Sequence, residues 1–198
     1  AREAVACIKP GDWIDYGFCG QMPRDLDRAL AERLAEEPEL TGLNFRGGLA
    51  LRQPAVTALP DAAERITWNS WHCSAIERRL MEQGICYYAP IRFSEMTRYY
   101  RENVERVDVA MIQVSPMDAH GFFSFSLNTT YLAAMLERAR TVIVEVNPRM
   151  PVAFGGLGTA IHISRVDMVV EGEGHELDQL PTTQPTREDQ AVARQIVS

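Results

Sequence analysis

Residues 107–114, with the sequence VDVAMIQV, form a nearly continuous apolar run near the middle of the chain. Such a run is typical of a β-strand that is buried on both faces of a parallel sheet. A second apolar strand, TVIVEV, is predicted at 141–146, and a helix over 129–140 precedes it. The apolar side chains of that helix recur at helical spacing, at Leu132, Met135, Leu136 and Ala139. Because a strand, a helix and a strand in this order form a parallel pair joined by a crossover, the sequence predicts an α/β fold with a mostly parallel open sheet flanked by helices.

Shorter elements lie on both sides of this central unit. Further strands are predicted at 13–16, 40–45, 66–68, 85–88, 122–126 and 168–170. Further helices are predicted at 1–9, 24–37, 74–83 and 94–100. Ser74 is expected to cap its helix at the N-terminus, and Gly84 is expected to end it. Glu145 falls within the strand at 141–146, so we expect its carboxylate to face a hydrogen-bond partner.

The composition is that of an ordinary globular protein. The chain has 198 residues, of which 46% are apolar and 24% are charged. Its formal net charge of −7 argues against a nucleic-acid or anionic-membrane partner, since both favour a basic surface. The four cysteines form no CxxC pair, no cluster has metal-ligand spacing, and no apolar run is long enough to span a membrane. We therefore expect reduced thiols, no metal and a cytoplasmic location.

The composition also predicts three segments along the chain. Residues 1–171 are expected to form the α/β domain, and the polar, proline-containing stretch 172–187 is expected to be a linker. Residues 188–198 begin with acidic residues and continue with apolar residues at helical spacing, which predicts the start of a helix. Because a domain seldom ends as a new helix begins, we expect further polypeptide beyond Ser198, either cleaved from the chain or supplied as a separate subunit.

Four stretches together resemble one enzyme family. They are GDWIDYGFCGQMPRDLDRALAE (from Gly11), RRLMEQGICYYAPIRFSEMTRYY (within 73–100), DVAMIQVSPMDAHGFFSFS (from Asp108) and TVIVEVNPRMPVAFGGLGTAIHIS (from Thr141). Their order and spacing are similar to the N-terminal half of the acetyl-CoA hydrolase/4-hydroxybutyrate CoA-transferase family, a branch of the family I CoA-transferases. The resemblance covers about the whole chain. The chain departs from the family pattern at Gln21-Met22, where many members have a glycine, and at residues 152–158.

The resemblance implies an acyl-CoA:carboxylate CoA-transferase of the butyrate, acetate or 4-hydroxybutyrate type, and it leaves open dicarboxylates such as succinate or itaconate. In this family a glutamate carboxylate attacks the acyl-CoA, a glutamyl-CoA thioester forms, and the incoming acid then takes the CoA. That glutamate is expected beyond Ser198, so no catalytic residue is predicted within the chain. Coenzyme A is a substrate, and no tightly bound cofactor is expected. The implied partners are an acyl-CoA, a small carboxylate, and the C-terminal half or second subunit, in an oligomer.

The resemblance also implies substrate-binding residues in loops that follow predicted strands. The candidates are Gly17, Phe18, Gly20, Gln21, Pro23, Gly47, Gly48, His72, Ser115, Asp118 and Asn128. Their backbone N–H groups and polar side chains are suited to a carboxylate or a thioester.

Each candidate region has a structural alternative. The loop 17–23 suits a strand-to-helix turn in which glycine takes a positive φ, and 46–48 suits a simple turn. Residues 115–121 suit a hairpin turn, and Asn128 with Thr129 suits a helix N-cap. The glycines at 155–158 are not expected to bind phosphate, because no phosphate-binding motif surrounds them. We expect them to form a loop near the interface with the C-terminal half of the enzyme.

Two other functions remain open from the sequence. An acyl-CoA hydrolase differs from a transferase only in using water as the acceptor. A non-catalytic module that binds CoA or a sugar phosphate is compatible with a related fold, because fold alone does not determine function.

Overall fold

Nine strands and seven helices are found in the described residues, 1–104, 106–180 and 182–197, of the computed structural model. The strands are β1 (Trp13–Tyr16), β2 (Leu43–Gly47), β3 (Ile66–Ser70), β4 (Cys86–Tyr88), β5 (Val107–Val114), β6 (Phe122–Ser124), β7 (Ala139–Val146), β8 (Ala160–His162) and β9 (Met168–Glu171). The helices are α1 (Arg2–Val5), α2 (Asp25–Glu36), α3 (Ala62–Arg65), α4 (Ala75–Glu82), α5 (Met96–Glu102), α6 (Leu132–Arg138) and α7 (Arg187–Val197).

Seven strands form one sheet in the order β4-β3-β2-β1-β5-β7-β9. Every neighbouring pair in this sheet is parallel, so the predicted α/β fold is confirmed. The pairing of β5 with β7 runs from Val107 beside Ala139 to Val114 beside Val146. The other two strands, β6 and β8, form a separate antiparallel pair.

The central strand β5 is buried along its whole length, as its apolar sequence predicts. Val109 and Met111 belong to the core on one face of the sheet, together with residues of α1, α2 and α4. Ala110, Ile112 and Val114 belong to the core on the other face, together with residues of α5 and α6. Helices therefore cover both faces of the sheet, and functional groups remain accessible mainly at its ends.

Several element boundaries differ from the sequence prediction. Helix α6 begins at Leu132 rather than at residue 129, because Thr130 has a φ of 23° and cannot be helical. Strand β2 continues to Gly47, which pairs with Ser70 of β3. Strand β8 was not predicted, since its three residues form part of a glycine-rich region that suggests a loop.

The segment 172–180, which has no helix or strand, returns to the domain through several hydrogen bonds. The backbone N–H of Glu173 donates to the Asp25 carboxylate at 2.8 Å. The carbonyl oxygen of His175 accepts a bond from the Asn147 amide at 3.0 Å. The boundaries 1–171, 172–187 and 188–198 remain predictions, and Glu105, Pro181 and Ser198 within them lie outside the described residues.

The carboxylate of Glu145 is buried at the start of α2, and the expectation that it faces hydrogen-bond partners is confirmed. It accepts three bonds of 2.8 Å from the backbone N–H groups of Arg24, Asp25 and Leu26. A fourth bond of 2.9 Å comes from the Gln113 amide on β5. The first turn of α2 has no cap from its own N-cap side chain, so Glu145 satisfies these helix donors from a neighbouring strand.

We expect Glu145→Ala to lower the free energy of unfolding by about 2–4 kcal/mol, because it leaves four donors, three of them buried, without an acceptor. Urea denaturation measures this change. Glu39→Ala is the matched control, since Glu39 is exposed, and its effect should stay within about 0.5 kcal/mol. Equal effects of the two substitutions would contradict the assigned role of Glu145.

Candidate functional site

The carboxyl ends of the seven parallel strands lie along one edge of the sheet. The direction in which strands are added reverses between β1 and β5: β2, β3 and β4 extend one side, and β7 and β9 extend the other. Ligands of open α/β sheets bind outside the carboxyl ends of the strands at such a switch point. The loops that follow β1 and β5 are therefore where the fold favours a site.

A cleft of about 480 Å³ opens beside the loop after β1. Its described lining residues are Cys19, Gly20, Leu51, Phe93, Leu127, Asn128, Thr129, Thr130 and Asp178. Most of them come from the loop after β1 and from the segment 126–130 between β6 and α6. Two of the predicted substrate-binding residues, Gly20 and Asn128, thus meet in one cleft.

The loop after β1 turns tightly at Gly17. A Cβ atom at this position would lie 2.3 Å from the carbonyl oxygen of Gln21, so only glycine fits without a backbone shift. The left-handed residue of the loop is Cys19, with a φ of 57°, and not a glycine. The alternative in which glycine supplies a positive φ is therefore wrong, and the loop holds a strained residue at the wall of the cleft.

Three other predicted residues of this loop lie behind the cleft lining. Phe18 is buried and makes an edge-to-face contact with Tyr131, with 6.0 Å between the ring centroids. The Gln21 side chain is fully buried and donates from its amide to the carbonyl of Phe125. The carbonyl of Pro23 accepts a bond of 2.8 Å from Arg52. These residues support the cleft from behind, and their contact with substrate remains a prediction.

The segment 126–130, with the sequence SLNTT, combines backbone strain with unpaired polar groups. Ser126 and Thr130 have φ values of 60° and 23°, which are unfavourable for residues with a β-carbon. Ser126 Oγ, Asn128 Oδ1 and Thr130 Oγ1 are buried and have no hydrogen-bond partner among the described residues. An unpaired buried polar atom costs about 1–3 kcal/mol. Such a concentration is typical of functional sites.

Sequence reasoning found only part of this segment. Asn128 was a candidate, but its alternative role as an N-cap is wrong, because Tyr131 precedes α6 and makes no side-chain cap. Ser126, Leu127, Thr129 and Thr130 were missed. The available signal was a run of small polar residues between a strand and a helix, which by itself indicates only a loop.

Gly47 and Gly48 lie at the carboxyl end of β2, next to the loop after β1. Gly47 belongs to the strand, so the alternative of a simple turn at 46–48 is wrong. A Cβ atom on Gly48 would lie 3.0 Å from Cε2 of Phe18 and 3.3 Å from Cβ of Trp71. The absence of a side chain at Gly48 therefore permits close packing of two aromatic residues behind the cleft.

His72 lies in the loop after β3, and its side chain is exposed. It is outside the set of described residues that line the cleft. The nearby Ser74 and Glu77 form a capping box at the start of α4, so the prediction of Ser74 as a helix cap is confirmed. A substrate contact of His72 remains a prediction.

Ser115 and Asp118 line a second cleft of about 200 Å³ next to β6. The Asp118 carboxylate accepts bonds of 2.8 Å from the backbone N–H groups of His120 and Phe122. The bond from Phe122, and then that from His120, hold the pKa of Asp118 below its usual value. Ser115 Oγ accepts a bond of 3.0 Å from the N–H of Ser124. Both side chains thus stabilise the turn between β5 and β6, and substrate binding by them remains a prediction.

The charged groups near the larger cleft are paired. Asp178 lies 3.3 Å from Nη2 of Arg24 and 3.2 Å from Nε of Arg52. Burial raises the pKa of the Cys19 thiol, and the negative charge of Asp178 acts in the same direction. A raised pKa lowers the fraction of the thiolate, which is the nucleophilic form of cysteine.

One cluster has the composition of a metal site. The side-chain oxygen or nitrogen atoms of Asp25, Glu173 and His175 lie within 4.8 Å of one another. Arg28 already pairs with both carboxylates, so a guanidinium supplies the positive charge. Burial raises the pKa of Asp25, but the bonds from the N–H of Glu173 and from His175 outweigh it and lower the pKa overall. The absence of a metal remains a prediction.

Comparisons with known proteins agree with the sequence resemblance. A family model described as the acetyl-CoA hydrolase/transferase N-terminal domain matches residues 1–177. The chain is 49% identical over 198 residues to a butyryl-CoA:acetate CoA-transferase of Anaerostipes caccae, covering all of this chain and 44% of that protein. It is 32% identical over 181 residues to a 4-hydroxybutyrate coenzyme A transferase of Clostridium kluyveri, covering 91% of this chain and 41% of that protein.

One solved structure is similar to this chain over nearly its whole length. The crystal structure of RipA from Yersinia pestis matches with a TM-score of 0.87 and 30% identity, covering 98% of this chain and 46% of that chain. The chain thus spans less than half the length of the relatives it matches. Among the described helices, none is both long and apolar enough to cross a bilayer.

We expect Gly17→Ala to lower the free energy of unfolding by about 1–3 kcal/mol, because its Cβ would overlap backbone that has little room to move. Urea denaturation measures the change. Gly156→Ala is the control, since a Cβ there meets no atom within 4 Å. An unchanged stability for Gly17→Ala would show that the tight turn is not required.

Proposed function

This chain belongs to the acetyl-CoA hydrolase/transferase family, and from that premise we propose that it forms the acyl-binding and carboxylate-binding side of an acyl-CoA:carboxylate CoA-transferase. The 49% identity of this chain to the butyryl-CoA:acetate CoA-transferase of Anaerostipes caccae supports short aliphatic acids as the substrates in our proposal. The chain corresponds to less than half of that relative, so we assign the activity to a complex with the C-terminal half. The proposal also includes an oligomeric state and a cytoplasmic location.

The segment 126–130 carries the proposal. Its backbone is strained, it holds unpaired buried polar atoms, and four of its residues, 127–130, line the cleft. A substrate or the C-terminal half supplies partners for these atoms, and binding energy then offsets the cost of the unpaired state. Asn128 is the best candidate for a direct substrate contact, because its amide can donate to one oxygen and accept from one donor.

The apolar part of the cleft suits the acyl chain. Leu51, Phe93 and Leu127 line it with hydrocarbon, so each methylene of a butyryl group gains about 0.8 kcal/mol on burial. The neutral side chains of Asn128 and Thr129 lie beside this apolar surface. They are suited to the carboxylate or thioester oxygen at the end of the chain.

The catalytic carboxylate comes from outside this chain in our proposal. It attacks the carbonyl carbon of the acyl-CoA and expels CoA thiolate, which leaves an acyl-glutamyl anhydride. The thiolate then attacks the glutamyl carbonyl, which releases the first acid and leaves the glutamyl-CoA thioester. The incoming carboxylate repeats these steps in reverse and departs as the new acyl-CoA.

Two glutamates of this chain, Glu145 and Glu173, are poor substitutes for that nucleophile. Both carboxylate oxygens of Glu145 are occupied by buried donors. Glu173 is paired with Arg28. Neither residue is among the described residues that line the 480 Å³ cleft.

We expect CoA exchange between butyryl-CoA and acetate only when this chain is combined with the C-terminal half. The physical reason is that the nucleophile and the acyl-binding surface lie on different halves. Acetyl-CoA formation measured by chromatography checks this, with each half alone as the control.

Three results would contradict the proposal. Activity of this chain alone would place the nucleophile within it. Tight CoA binding by the complex without turnover would favour a non-catalytic binding module. Free CoA release without acetate would instead indicate a hydrolase, so thiol release is measured in the same samples.

We expect Asn128→Ala to reduce kcat/KM for butyryl-CoA by about tenfold to a hundredfold in the combined enzyme, because a hydrogen bond to the reacting group is lost. Steady-state kinetics measure this loss. Asn44→Ala is the matched control: Asn44 lies at the amino end of β2, and its side-chain amide donates locally to the carbonyl of Gly42. The control should change kcat/KM by no more than about twofold, and an equal loss in both variants would rule out a specific role.

A further inference from the structure

We propose that Asp178 determines acyl specificity by excluding acyl groups that carry a second carboxylate. This inference rests on the proposed function, because it treats the 480 Å³ cleft as the acyl-binding site. It goes further by choosing between monocarboxylic and dicarboxylic acyl groups, which family membership leaves open.

Asp178 is the only charged residue among the nine described residues that line the cleft. Its side chain is 23% exposed, so its carboxylate is neither deeply buried nor free in solvent. An acyl group in the cleft therefore meets one fixed negative charge at the wall. A second carboxylate on that group would be repelled by it, in a place with less water to screen the two charges.

The segment that carries Asp178 is held in place by several bonds. Glu173 and His175 bond to Asp25 at the start of α2, each at 2.8 Å. Arg149 donates to the carbonyl of Gly174 at 2.7 Å. Since these bonds lie three to five residues before Asp178 in the chain, they restrict where its carboxylate can lie.

Two guanidinium groups lie within ion-pair distance of Asp178. Nη2 of Arg24 is 3.3 Å from one carboxylate oxygen, and Nε of Arg52 is 3.2 Å from the other. Without Asp178, this pair of cations would be a favourable site for a carboxylate, because guanidinium groups bind carboxylates strongly. Asp178 thus takes the place that the second carboxylate of a dicarboxylic acyl group would need.

Arg52 is poorly placed to turn toward a substrate instead. Its Nη2 donates to the carbonyls of Met22 and Pro23, at 3.1 and 2.8 Å. Its Nη1 lies 3.4 Å from the buried carboxylate of Asp27. These contacts fix the guanidinium of Arg52 at the base of the loop after β1. Replacing Asp178 therefore leaves Arg52 in place and changes only the group that lies next to its Nε.

The experiment compares butyryl-CoA with succinyl-CoA as donors to acetate, in the enzyme formed by this chain and the C-terminal half. The wild-type enzyme should prefer butyryl-CoA in kcat/KM. Asp178→Asn keeps the size of the side chain and removes its charge. We expect it to raise the ratio of kcat/KM for succinyl-CoA to that for butyryl-CoA by at least about tenfold, since the fixed negative charge that repels a second carboxylate is removed.

Glu176→Gln is the matched control. Glu176 lies two residues earlier in the same segment and pairs with Arg149 away from the cleft. It removes the same charge from the segment, so its donor ratio should stay at the wild-type value. Asp178→Glu retains the charge and should keep the preference for butyryl-CoA.

The outcomes separate this inference from the proposed function. Transfer from butyryl-CoA with a donor ratio unchanged in Asp178→Asn would overturn the role of Asp178 and leave the proposed function intact. Transfer from neither donor by the wild-type enzyme would overturn both. If thermal unfolding shows that Asp178→Asn does not fold, the donor ratio is measured in Asp178→Ser instead, and an unchanged ratio there would overturn the inference. A wild-type preference for succinyl-CoA in kcat/KM would also overturn it.

Discussion

The buried carboxylate of Glu145 connects the parts of the molecule on which the site depends. It lies on β7, accepts a bond from Gln113 on β5, and satisfies three N–H groups at the start of α2. The chain also crosses closely over this point at Gly172, where a Cβ would lie 2.8 Å from the carbonyl of Val146. One negative charge at a helix N-terminus thus sets the positions of two strands, a helix and the beginning of the C-terminal segment.

The candidate site combines a closely packed aromatic layer with loop residues whose backbone is strained. Below the cleft, aromatic residues pack closely, and Tyr100 stacks on Tyr131 with 5.0 Å between ring centroids. Burial raises the pKa of Tyr100 well above its ordinary value, so its hydroxyl stays protonated and donates to Asp15. In the loop after β1 and in the segment 126–130, Cys19, Ser126 and Thr130 have positive φ values. A rigid base of this kind is what allows strained residues to persist at a surface.

The unpaired polar atoms of the segment 126–130 fit an enzyme whose active site is divided between two halves. In our proposal, this chain, which spans less than half of its relatives, presents one wall of such a site, and groups on that wall lack the partners that the other wall and the substrate bring. In our proposal, the same division assigns acyl recognition to this chain and covalent chemistry to the other. The paired charges around Asp178 then contribute selectivity without taking part in the reaction.

The sequence by itself determined the fold, because the apolar runs of β5 and β7 are long enough to require burial on both faces and a parallel crossover. It also indicated Ser74 as a cap and Glu145 as a residue with buried partners, because a capping pattern and a charge within a buried strand are local signals. The candidate site was only partly predictable: Gly20 and Asn128 were found, whereas Leu51, Phe93 and Asp178 were not. These residues are distant in the chain and have ordinary neighbours, so only the tertiary structure brings them to one cleft. The positive φ of Cys19 and Thr130 also arises from packing, because no local preference of cysteine or threonine favours it.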